Sequence, residues 1–157
     1  PRVPAAGTAV RGLAADDASG YCRAVVEGQM LAIRRHSIWI GPRPGAIRAT
    51  GGAAANPEIL RILADVFGCP VDRVPAANSA AIGAALRAVH ADAAARGAPL
   101  GWAELADAYA APIASARTEP SPESAAVYDR LLLDYAAFEE EELRRRGAAC
   151  VAKPGTA

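Results

Sequence analysis

Aromatic side chains are scarce, at 5% of 157 residues, which excludes a core built on large rings. Net charge is missing as well, because 17 basic residues balance 17 acidic ones. A surface without a basic excess offers no electrostatic footprint for nucleic acid. No apolar run approaches the ~20 residues that a membrane span needs, since Arg or Asp interrupts each stretch. Cysteine is sparse: Cys22, Cys69 and Cys150 are far apart and odd in number. Their spacing suits neither a zinc site nor a redox pair, and the expected home is reducing and cytoplasmic. Pro1 in place of Met, with no leader before the fold, is expected of a piece of a longer protein.

What the chain has in quantity is alanine, which dominates its 52% apolar residues. Alanine favours helix and lets elements approach closely, and the length suffices for one domain with a core. After an extended lead-in with a short strand expected at Val10 to Leu13, Asp16 and Asp17 cap a first helix ending near Arg35 or His36. Val26, Met30 and Ile33 share one face, and Arg23 and Glu27 can pair on another. Gly28 in mid-helix costs roughly 1 kcal/mol against alanine, so a close neighbour is expected there. The run Gly41-Pro42-Arg43-Pro44-Gly45 is a loop.

Ala46 to Thr50 then predicts a strand, Gly51 and Gly52 a turn, and Asn56-Pro57-Glu58 the start of a second helix. Ile59, Ile62, Leu63, Val66 and Phe67 form its apolar stripe, and Gly68 stops it. Val71 to Val74 is a short strand ended by Pro75. Asn78 or Ser79 caps a third helix reaching Arg96, whose Gly83-Ala84-Ala85 stretch is expected to pack tightly on a sheet. Trp102 to Tyr109 is a short helix and Ala111 to Pro122 a loop. A long helix follows Ser121, with Val127, Leu131, Tyr135 and Phe138 inward. Glu140, Glu141 and Glu142 each precede an arginine by four residues, the pattern of a solvated face. Residues 151–157 should fray. Alternating strands and helices imply an α/β domain with a parallel, doubly covered sheet, although only two or three strands are legible.

The strand, double-glycine turn and capped helix are the strongest chemical signal. Glycines let backbone lie flat against a ligand, and a helix start presents free N–H groups and a positive dipole end. That arrangement suits a phosphate or nucleotide, although the run is neither a Walker A loop nor a GxGxxG fingerprint. Asn56 either caps the helix or also turns toward a base or ribose. No catalytic constellation is visible, and no catalytic or metal-binding residue is assigned. His36 and His90 have no Cys, Asp or second His at ligand spacing. Asp65 is expected in a helix-surface ion pair, and Glu27 in a structural pair with Arg23.

Four ordered stretches carry a resemblance: Arg23 to Gln29, Ala49 to Asn56, Leu63 to Gly68 and Ala77 to Ala85, joined by the Ser-Pro-Glu at 121–123 and Tyr128. Together they resemble the carboxy-terminal part of the FGGY carbohydrate kinase family. The resemblance implies the actin-like ATPase fold, in which two ribonuclease H-like domains flank a cleft. This chain would be most of the second domain, with few strands and an added helical tail. Residues 1–97 would form its nucleotide-side portion, 98–150 the tail and 151–157 a disordered end. The same resemblance implies Gly52 and Asn56 as contacts to ATP, with Gly51 and Ala53 shaping the turn. Mg would be bound mainly through ATP and the missing domain. Many bacterial relatives carry a third glycine and a serine where Ala53 and Asn56 stand.

The implied substrate is a sugar, foremost D-xylulose, phosphorylated to xylulose 5-phosphate by the full-length enzyme. The catalytic aspartate and the sugar pocket would lie outside this chain, leaving the fragment inactive alone. A kinase for ribulose, glycerol or another polyol, and a non-catalytic α/β scaffold, stay open beside it. Neither nucleic acid nor membrane is expected as a partner, and exposed strand edges leave a homo-oligomer open.

Overall fold

The computed structural model describes residues 9–14, 16–41, 43–74, 78–109, 112–113 and 115–151. Of the end expected to be disordered, 151–157, all but Val151 lies outside these residues, and Val151 is the last residue of a helix. The first described helix, α1 (Ala18–His36), starts where expected, because the Asp17 carboxylate accepts the Gly20 N–H at 2.8 Å. The segment before it is not a strand. Gly12 turns the chain at φ +80°, while Arg11 pairs with Glu141 at 2.6 Å and lies over the Phe138 ring. Gly28 needs no small residue for space either: a methyl group there would meet no atom within 4 Å.

Helix α2 (Pro57–Phe67) is the hub, and local chemistry sets both of its ends. The Asn56 side chain accepts the N–H groups of Glu58 and Ile59 at 2.9 and 3.4 Å. Pro57 sits where a missing N–H costs nothing. Gly68 takes left-handed geometry at φ +62° and returns its N–H to the Ala64 carbonyl at 2.8 Å. One face of α2 places Ile62, Val66 and Phe67 against Leu31 of α1, Cys69 and Tyr128. Burial pushes the Cys69 thiol pKa up, so this cysteine is a core residue in its chemistry as well as its position. The other face sets Leu60 and Ala64 against Ala54 and Val71. A helix buried on both sides is thus held between a helical layer and the sheet.

The sheet has the order β1 (Ile47–Ala49), β2 (Val71–Arg73), β3 (Arg117–Thr118). β1 and β2 are parallel, with Ile47 opposite Val71, as a strand–helix–strand connection requires. β3 corrects the expectation of a loop over 111–122: it pairs antiparallel with β2, and Arg117 reaches Asp72 at 3.0 Å across the pair.

Helix α5 (Pro122–Val151) packs on α1 and α2, with Tyr135 inward and Phe138 half-buried as expected, but its first turns present a different face from the expected one. Val127 and Leu131 are exposed, whereas Tyr128 is buried and Leu132 and Tyr135 pack on the core. The Tyr128 hydroxyl donates to Glu27 at 2.7 Å, and Arg23 donates to the same carboxylate at 2.7 Å. A buried phenol needs such an acceptor, which gives the Arg23–Glu27 pair a structural task. The acidic run is more than a solvated face. Glu139 and Glu140 both pair with Arg35, Glu139 also meets His36, and Glu142 pairs along its own helix, with Arg145 and Arg146.

Between these layers Arg34 donates to the Val66 carbonyl and to Asp129, both at 2.6 Å, and Arg43 also donates to Asp129. These two guanidiniums, Arg43 first, hold the Asp129 carboxyl below the usual aspartate range. A depressed folded-state pKa contributes stability above the unfolded value, and that contribution is lost as pH falls through the folded one. Asp129→Asn is therefore expected to flatten the fall of melting temperature with acid below about pH 4, as a thermal-melt series across pH would show.

Helices α3 (Ser79–Ala95) and α4 (Trp102–Tyr109) pack on each other, with the His90 and Trp102 rings stacked at 4.3 Å. The small face of α3 does not serve tight packing on a sheet, since none of its residues is buried. Among the described residues no helix is long and apolar enough to cross a membrane.

Candidate functional site

β1 delivers the chain to Thr50, and the backbone then reverses through Gly51 at φ +88°, ψ −173°. That combination is essentially restricted to glycine, because a Cβ would clash with neighbouring backbone. Gly52–Ala55 forms one 3₁₀ turn, closed by bonds from the Ala54 N–H to Gly51 and from the Asn56 N–H to Ala53. The first N–H groups of such a turn precede its own ladder of carbonyls and are left for other partners. One residue anchors the turn: Ala54 is 5% exposed and packs on the α2 side of the core. Gly51, Gly52, Ala53 and Asn56 are all exposed.

A methyl group at Gly51 or Gly52 would meet no atom within 4 Å, so the space above both glycines is open. The start of α2 lies immediately beyond, and its dipole makes this end positive. Glu58, at that end, is engaged by Arg61 at 2.5 Å. Asn56 spends its side-chain oxygen on capping, which leaves its amide NH₂ as the group free of that task. An exposed glycine backbone thus runs directly into the N-terminus of a helix. Such an arrangement fits an anion on an extended ligand.

Residues 2–91 match the FGGY family of carbohydrate kinases, C-terminal domain. The chain belongs to the FGGY family of carbohydrate kinases. Rat xylulose kinase is 40% identical to it over 126 residues, covering 78% of this chain and 23% of the rat protein. The crystal structure of xylulose kinase from Rhodospirillum rubrum superposes with a TM-score of 0.65 at 31% identity, over 88% of this chain and 28% of that one. That of ligand-bound xylulose kinase from Lactobacillus acidophilus gives 0.71 at 22% identity, over 89% and 28%. The fold is therefore that of the FGGY sugar kinases, the actin-like ATPase fold, in its C-terminal part, and the chain spans about a quarter of the relatives it matches.

Other residues singled out from the FGGY sequence have structural work. Glu27 binds Tyr128 and Arg23, His36 meets Glu139 at 2.8 Å, and His90 stacks on Trp102. Asp65 is not in a surface ion pair. It is 5% exposed and accepts the Ser121 N–H at 2.7 Å, tying α2 to the start of α5. Among the described residues no three His, Cys, Asp or Glu side chains cluster as metal ligands would.

A cavity of about 780 Å³ borders the turn, between the end of α1, β1 and α2. Its walls include Thr50 and Ala53 but neither glycine, and most of them are aliphatic. No motif in the sequence signals it, because its walls come from segments up to about a hundred residues apart, Met30 to Leu132.

Proposed function

We propose that this chain is the ATP-binding C-terminal part of a sugar kinase that phosphorylates D-xylulose to xylulose 5-phosphate when full length. The observation that carries this is the exposed glycine turn opening α2, inside a chain of this family. Gly52 and Asn56 contact the nucleotide, while Gly51 and Ala53 shape the turn. Residues 1–97 form the nucleotide-side portion and 98–150 its helical tail. When bound, MgATP supplies the γ-phosphoryl group, with Mg held mainly through the phosphates and the other domain. The turn fixes the nucleotide, the start of α2 offers positive potential to its charge, and the aliphatic anchor at Ala54 keeps the seat rigid. The sugar is held and deprotonated by an aspartate in the part of the enzyme outside this chain.

Phosphoryl transfer depends on positioning and charge stabilisation from both walls of a cleft. The 157-residue chain alone is thus expected to show no sugar-dependent ATP hydrolysis or transfer. Grafted into rat xylulose kinase in place of the 126 residues that align with it, it should restore D-xylulose-dependent ADP formation by supplying the nucleotide side of the cleft, while the sugar pocket stays that of the rat enzyme. A folded graft that binds D-xylulose yet turns nothing over contradicts the proposal, as does turnover by the isolated chain.

A further inference from the structure

We propose that the turn after α1, Ile38–Ile40, is a self-association surface through which two copies of this chain form a symmetric dimer. Consecutive side chains of a 3₁₀ turn point about 120° apart, so a turn lying against the body of a protein buries at least one of them. Here none is buried: Ile38, Trp39 and Ile40 stand 66%, 84% and 71% exposed. The turn therefore projects from the end of α1. Its backbone is closed by its own bonds, from the Ile40 N–H to Ser37 at 3.0 Å and from the Gly41 N–H to Ile38 at 3.2 Å. A surface shaped before it meets a partner loses little freedom on binding.

The three residues present on the order of 450 Å² of mostly apolar surface, more than half of the ~800 Å² that each partner brings to a standard interface. A tryptophan tip flanked by two isoleucines has the make-up of an interface centre. An area of this size supports a reversible association.

Charge around the turn selects the occupant. Between Gly28 and Pro57 the chain carries Arg34, Arg35, His36, Arg43 and Arg48 and no acid. Each of the five meets an acid from another element. Arg34 and Arg43 pair with Asp129, Arg35 and His36 with Glu139, and Arg48 with Asp107 at 3.6 Å. A twofold contact sets each group near its own copy, so unpaired cations would repel across it. None of these five is left unpaired to do so. An anionic membrane or a nucleic acid would draw on unpaired cations instead. The neutral, apolar turn is thus complementary to itself. This inference uses nothing of the nucleotide reading.

Sedimentation velocity on the isolated chain, from the low micromolar to the hundred-micromolar range, tests it. The average mass should climb from one copy toward two, and Trp39→Glu should hold it at one. Hydroxyl-radical footprinting read by mass spectrometry needs no variant: Trp39 oxidation should fall severalfold over that range while that of the half-exposed Trp102 stays constant. When dilute, the chain and its Trp39→Glu variant should melt at the same temperature, and only the unaltered chain should gain stability with concentration. In the dilute graft in rat xylulose kinase, Trp39 should oxidise as readily as in the dilute chain. A chain that stays monomeric throughout would overturn the proposal, as would a dimer that survives Trp39→Glu. Protection of Trp39 in a dilute, monomeric graft would overturn it too, by making the remainder of the kinase the occupant. So would binding of the monomeric chain to anionic phospholipid vesicles that Trp39→Glu abolishes.

Discussion

Gly52→Val, placed in the grafted kinase, is expected to raise the apparent KM for MgATP about ten- to a hundredfold and leave that for D-xylulose unchanged. The size follows from blocking one backbone hydrogen bond to a charged phosphate, worth about 1.5–3 kcal/mol. The substitution is a clean probe because the fold tolerates it. Gly52 does not adopt positive φ, and nothing lies within 4 Å of the position a Cβ would take. The added side chain starts in open space, the space proposed for the nucleotide. Gly51 would be a poor probe, since any side chain at φ +88° strains the turn itself. Steady-state kinetics with each substrate varied in turn give the answer. A parallel rise in both KM values would mean general damage, and no rise would mean that the glycine face does not meet nucleotide.

Asp65→Ala is expected to destabilise the isolated chain by about 1.5–3 kcal/mol, the range for a lost hydrogen bond to a charged, buried acceptor. Its carboxylate is 5% exposed and accepts the Ser121 N–H at 2.7 Å. Ser121 in turn accepts from Ser124 through its hydroxyl and from Ala125 through its carbonyl, so it is the cap of α5. Losing Asp65 leaves that N–H unpaired inside the joint between α2 and α5 and removes a negative charge from a helix N-terminus. At roughly 2–4 °C per kcal/mol for a domain of this size, the melting temperature should fall by about 3–12 °C. Asp65→Asn keeps an acceptor oxygen and should recover part of the loss. A surface residue, which is what helix position alone suggests for Asp65, would change stability by no more than about 0.5 kcal/mol.

The contrast between α2 and α5 shows which parts of this fold are written locally. α2 carries its own start and stop in Asn56, Pro57 and Gly68, and all three act as their chemistry predicts. α5 offers Leu131, Leu132 and Leu133 in succession, and its local pattern does not decide which turns inward. The choice falls to a distant pair, the Tyr128 hydroxyl on Glu27, which rotates Leu132 to the core and leaves Leu131 in water. β3 is two residues long and is specified by a partner, Asp72, that lies 45 positions away. Small residues misled in the other direction. Gly28 and the Gly83-Ala84-Ala85 face suggest close packing, yet Gly28 has no neighbour for a Cβ and α3 buries nothing. Of the candidate site, the turn and its cap were legible because they are contiguous, from Thr50 to Glu58. The cavity beside it was not, being assembled from α1, β1, α2 and α5.

Nuclear magnetic resonance on the ¹⁵N-labelled 157-residue chain, titrated with MgADP into the millimolar range, tests the proposed nucleotide seat most directly. Amide shifts should centre on Gly51, Gly52, Ala53 and Asn56 and extend to Glu58 at the start of α2, saturating weakly if, as proposed, the other wall of the cleft lies outside this chain. Spectra that stay still over those residues, or that move instead around α3 and α4, would contradict it.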